Sequence, residues 1–156
     1  LGRQQQVIDT IREVKDQGAQ VIIVSFHWGT EKSNIPDDIQ KTLAHLAIDQ
    51  GADLVVGHHP HVLQGIEKYQ GKNIVYSLGN FCFGGNKNPS DKDTMIFQQT
   101  FTVENGKLEE DDVTNIIPCS LSSESGYNNY QPMVLEGSEK ERVLQKIEDF
   151  STAINQ

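Results

Sequence analysis

Two near-continuous apolar runs, residues 20–26 and 54–57, constrain this chain most, because a stretch of helical periodicity precedes each of them. Strands that are apolar almost throughout suit the covered centre of a parallel sheet, and parallel neighbours need a long crossover, usually a helix. Val7, Ile8, Ile11 and Val14 recur at helical spacing over residues 4–17, with Gly18 where a C-terminal cap belongs. A second helix is predicted over 37–50, opened by Pro36 near its first position and closed by Gly51. Ile39, Leu43, Leu46 and Ala47 share its apolar stripe, and Asp38, Thr42, His45 and Asp49 fall on the opposite, exposed one. Helix, strand, helix, strand in that order predicts an α/β layer with right-handed crossovers.

Residues 73–77 read as a third strand. Beyond Gly84-Gly85 the character changes: residues 94–103 and 110–117 alternate apolar and polar around Glu104-Asn105-Gly106-Lys107, a hairpin signal that turns the sheet antiparallel. Residues 122–132, with Gly126, Asn128 and Asn129, read as a surface loop, and 138–154 as a last helix presenting Val143, Ile147, Phe150 and Ile154. With 156 residues, no repeat and no flexible linker, the expectation is one core and one domain over 1–156. The chain opens on a crossover helix with no strand before it, so it is expected to be the C-terminal portion of a longer domain.

Charge narrows the partners. A net charge of -9, from 22 acidic and 13 basic residues, repels nucleic acid phosphates and anionic lipid headgroups, so nucleic acid is excluded as an expected partner. No apolar run approaches the ~20 residues of a membrane span. Cys82 and Cys119 form no CxxC pattern; isolated cysteines usually serve as small buried apolar residues, and a disulfide between these two is the alternative.

Three of the five histidines crowd into Gly57-His58-His59-Pro60-His61, directly after the second apolar run. Residues i and i+2 of extended backbone project to one side, so His59 and His61 can share a cavity, and imidazole is a neutral ligand for zinc, manganese or iron. The first run ends the same way, in His27-Trp28-Gly29, which makes His27, His59 and His61 the candidate metal ligands. The opposing reading is a set of strand-ending histidines that are merely hydrogen-bonded or exposed.

Glu31, four residues past His27, and Glu67, six past His61, are the candidate carboxylates. Each fits a ligand, an acid–base group or a partner that fixes an imidazole tautomer, with a solvated loop carboxylate as the plain alternative. His58 joins them as an acid–base candidate that hydrogen-bonds nearby or faces away. Ser77 and Asn80 sit in Ser77-Leu78-Gly79-Asn80-Phe81 without a G-x-S-x-G elbow, so turn chemistry is favoured over a serine nucleophile. Trp28 and Tyr76 read as core or cleft-wall residues.

The segments SFHWGTEKSNIPDDIQ and GADLVVGHHPHVLQGIEKYQGKNIVYSLGNFCFG, at this separation, resemble the bacterial capsule-synthesis family of CapA and PgsA, proteins of poly-γ-glutamate biosynthesis. The likeness is close over residues 20–85 and weakens to a similar hairpin beyond about 94, and Lys32 stands where the family more often shows Tyr. It implies part of a calcineurin-like metallophosphoesterase fold, an α/β/β/α sandwich with mixed sheets. In that pattern His27 takes a single-histidine metal motif and His59 with His61 a His-x-His motif; the pattern also expects an earlier half with an Asp or Gly-Asp motif and an Asn-His motif, which these residues do not contain.

The resemblance further implies a divalent metal (Mn, Zn or Fe), and an anionic polyamide polymer or other capsule-synthesis membrane proteins as partners. The expected setting is extracytoplasmic, at the cell envelope, with a membrane anchor outside these residues. A metal-dependent phosphoesterase unrelated to capsule, and a non-catalytic envelope scaffold, are the competing functions.

Overall fold

A computed structural model describes residues 2–109 and 113–154. Its central sheet comprises β1 (Ile23–His27), β2 (Leu54–His58), β3 (Ile66–Tyr69) and β4 (Lys72–Val75), in the spatial order β1-β2-β4-β3. The first two run parallel, as predicted, and β4 joins β2 in parallel too, while β3 folds back antiparallel on β4. Gln70 and Gly71 make that reversal at φ 48° and 76°, the left-handed pair that suits the twist of a two-residue hairpin. Four residues are too few for periodicity to register, so this strand has no signature in the sequence.

Helices α1 (Gly2–Asp16) and α2 (Asp38–Asp49) cover one face of this sheet. Ile11, Leu43, Ala44, Ala47 and Ile48 pack there with Val55, Ile74 and Tyr76 in the first of two cores. A capping box starts α2: Asp37 Oδ1 accepts from the Gln40 amide at 2.8 Å and Gln40 Oε1 accepts from the Asp37 amide at 3.0 Å. Pro36 therefore precedes the cap rather than occupying the first helical position. The buried stripe is also rotated from the predicted one, since Ile39 is 61% exposed and Gln40 fully buried. Gln40 tolerates burial because its amide also donates to Gln64 Oε1 at 2.8 Å, which leaves no polar atom orphaned.

The Asp53 carboxylate takes the Ile22 amide at 2.9 Å, the strand begins only at Ile23, and among the described residues β2 is its one strand partner, so β1 lies at the rim of this four-stranded sheet. Ile23 is consequently 54% exposed, and Ser25 and His27 are open as well.

On the other face lie the antiparallel strands β5 (Asp93–Gln99) and β8 (Thr114–Ser120), with β9 (Met133–Val134) at the edge of β8. Between β5 and β8, β6 (Val103–Glu104) and β7 (Lys107–Leu108) make a small hairpin around Asn105 and Gly106. Residues 110–112 of the predicted hairpin strand fall outside the described residues. The last helix, α3 (Gly137–Ile154), sends Val143 and Ile147 into a second core with Leu54, Leu63, Val75 and Met95. Arg142 donates to both oxygens of Asp93 at 2.8 and 2.9 Å, and Lys146 bridges Asp91 and Asp93 at 2.7 and 2.8 Å, tying α3 to β5. The architecture is α/β with mixed sheets, consistent with part of a metallophosphatase-like sandwich.

Candidate metal centre

His27 stands opposite His58 in the parallel register, so β1 and β2 end at the same level of the sheet. Beyond β2 the backbone stops being extended: His59 has φ 98° and His61 φ 61°. The two imidazoles do share a side, yet a left-handed turn brings them together rather than the strand alternation invoked from sequence. Ring centroids of His27 and His59 are 4.5 Å apart, and those of His59 and His61 5.7 Å, so the His59 ring neighbours both other predicted ligands.

Glu31 joins them through its loop. The Lys32 amide donates to Pro60 O at 2.7 Å, Gln64 Nε2 to Ser33 O at 2.9 Å and Asn34 Nδ2 to Leu63 O at 2.9 Å. These three tethers strap residues 31–34 over the His-Pro-His turn. Donor atoms of Glu31, His59 and His61 all lie within 4.8 Å of one another, a metal-competent group among the described residues. Bonds of about 2.0–2.2 Å set tetrahedral ligands roughly 3.5 Å apart, so closure on an ion asks for a contraction of at most about 1.3 Å. His27 borders this group through His59, and His58 lies outside it.

Asn80, 9% exposed, does more than shape a turn: it orients His61. Its Oδ1 lies 2.8 Å from His61 Nδ1, while its amide nitrogen donates to His61 O at 3.2 Å. A carbonyl oxygen only accepts, so Nδ1 carries the proton and Nε2 keeps a free lone pair, the form a metal requires. Ser77 serves the turn as expected, its hydroxyl donating to Val62 O at 2.7 Å. Two imidazoles and one carboxylate, with a tautomer fixed from behind, form the donor set of His₂Glu zinc and of two-His-one-carboxylate iron sites, so the residues present fit a divalent metal.

Packing beneath the turn leaves little freedom. Trp28 is buried, stacks on Phe26 at 4.5 Å and donates its Nε1 proton to Tyr76 O at 2.9 Å. Gly57 permits this approach, because a Cβ there would collide with that carbonyl and with the indole nitrogen. Burial, and then the neighbouring His27, push the His58 imidazole below its ordinary pKa, which favours its neutral form.

Glu67 is held elsewhere. It is 8% exposed, both its oxygens lie 3.0 Å from His45 Nε2, and the Tyr76 hydroxyl donates to it at 2.7 Å. His45, expected from its helix stripe to be exposed, is half-buried in this hydrogen-bonded pair and stacks on Tyr69 at 3.9 Å; the buried carboxylate draws it in. Burial and then Glu67 push the Tyr76 phenol far above its ordinary pKa, so it stays a donor. Cys82 is exposed and Cys119 buried, and both are free thiols.

Residues 2–85 match the family model described as bacterial capsule synthesis protein PGA_cap. The chain belongs to this family. Among PGA_cap relatives, the PGA biosynthesis protein CapA of Bacillus subtilis is 53% identical over 76 residues, covering 49% of this chain and 20% of that protein. The capsule biosynthesis protein CapA of Bacillus anthracis is 46% identical over 76 residues, 49% of this chain and 18% of that protein. A probable polyglutamine synthesis accessory protein of Mycobacterium tuberculosis is 42% identical over 62 residues, 38% of this chain and 16% of its own length. The matched part of the chain thus spans a fifth or less of each of these relatives.

Proposed function

We propose that the chain takes part in synthesis or export of a capsule polymer, an anionic γ-glutamate polyamide, and works through a divalent metal held by Glu31, His59 and His61. Convergence of those three donors at the strand tips is the observation that carries this reading. The relatives named for capsule and PGA biosynthesis support the polymer class. Bound manganese, zinc or iron would supply Lewis acidity toward a carbonyl or phosphoryl oxygen. Asn80 orients His61, His27 borders His59, and Glu67 positions α2 and β4 from behind rather than meeting substrate.

A net charge of -9 opposes any approach of polyglutamate, so a local positive centre is needed, and a metal at this site provides one. The proposed setting is the cell envelope, alongside capsule-synthesis membrane proteins; no described helix is long and apolar enough to cross a membrane. Elemental analysis after dialysis against manganese or zinc tests the centre: wild type is expected to retain about one ion and His61→Ala far less. In the intact capsule system, His61→Ala should abolish polymer. Protein that stays metal-free in excess metal and still supports polymer would mark a scaffold instead. Phosphodiester turnover by the full-length protein that His59→Ala removes, with polymer unaffected, would mark an unrelated phosphoesterase.

A further inference from the structure

We infer that Lys32 is a specificity-determining cation of this site and anchors an oxyanion, a carboxylate or a phosphate, of the bound substrate. This deepens the metal-centre reading and rests on it. A cavity of about 300 Å³ opens beside the metal-competent group, lined by Glu31, Lys32, His61, Asn80, Asn86 and Asp91 among others. That volume is at the small end for ligand pockets, roughly ten waters, enough for a compact polar group next to the reacting centre but not for a nucleotide.

The charges of the lining single out Lys32. Asp91 is already paired with Lys146 at 2.7 Å, and Glu31 belongs to the donor group, where an ion would neutralise it. Lys32 is exposed, and its ammonium makes no ion pair or hydrogen bond among the described residues. Its backbone is nevertheless fixed: the amide donates to Pro60 O at 2.7 Å, and φ is 62° in the left-handed region that ordinary side chains rarely adopt. That turn is what lets consecutive residues Glu31 and Lys32 both face the cavity. An unpaired cation carried on a fixed backbone position, lining the same cavity as Asn80 and Asn86, is a complement to an oxyanion, and it answers the repulsion that the acidic chain otherwise exerts.

Calorimetric titration of the whole chain with γ-glutamylglutamate and with inorganic phosphate tests the inference, each with and without manganese. Lys32→Gln is expected to weaken the preferred anion about ten- to hundred-fold, the size of one charge-assisted hydrogen bond, while Lys32→Arg stays within about threefold. The arm that responds names the source, carboxylate or phosphate. Manganese affinity should be unchanged in both variants. The inference is overturned if wild type binds neither anion, or if Lys32→Gln binds both as wild type does. Lys32-dependent binding by protein that takes up no manganese would sink the metal reading alone, and normal manganese uptake with no Lys32 effect would sink this one alone.

Discussion

Replacing His59 by alanine and, separately, by glycine divides the backbone's contribution from the imidazole's. Both variants lose the ring, its contact with His27 and its donor atom, so their difference reports the backbone alone. At an ordinary position alanine is the more stable by about 0.4–1 kcal/mol, because glycine has more unfolded freedom to lose. His59 sits at φ 98°, well beyond the usual left-handed centre, where a Cβ costs about 1–2 kcal/mol. Subtraction of the midpoints reverses the order: glycine should exceed alanine by about 0.8 kcal/mol, within a range of about 0–1.6, or a few degrees in Tm for a chain of this size. Urea unfolding in EDTA measures it. With metal at about a hundredfold excess over Kd, wild type should gain about 2.7 kcal/mol that neither variant gains. Alanine equal to or above glycine in EDTA would refute the claim that this turn stores strain to aim the imidazole.

Gly57→Ala should destabilise the chain by about 1–3 kcal/mol and weaken metal binding, because the new Cβ meets Tyr76 O and the Trp28 indole between β2 and β4; thermal melts and metal titration read both effects. For Asp93, burial alone would raise the pKa, but hydrogen bonds from Arg142 and Lys146 outweigh it and hold the carboxyl below its ordinary value. Its contribution is therefore complete above the unfolded value of about 3.9 and lost as pH falls through the folded one. Asp93→Asn should cost about 1–3 kcal/mol at pH 7, discounted for the half-exposed Arg142, and its denaturation curve should converge with wild type in acid. Glu67→Gln places an amide where two donors converge and should cost about 1–3 kcal/mol in chemical unfolding while metal affinity stays within about twofold; a tenfold loss of affinity would return Glu67 to the site.

What the sequence determined by itself is local. Apolar repeats placed α1, α2, α3 and the cores of β1 and β2, because period 3.6 and unbroken apolar runs are properties of neighbouring residues. The histidines at both strand ends were legible for the same reason. Tertiary structure decided what meets what. Glu31 and Glu67 were equivalent candidates by spacing, and only the tethers from Pro60, Leu63 and Gln64 bring one to the imidazoles, while His45 and Tyr76 claim the other. Asn80 found His61 across 19 residues. Such partners are set by hydrogen-bond satisfaction between segments far apart in the chain, which no local periodicity encodes.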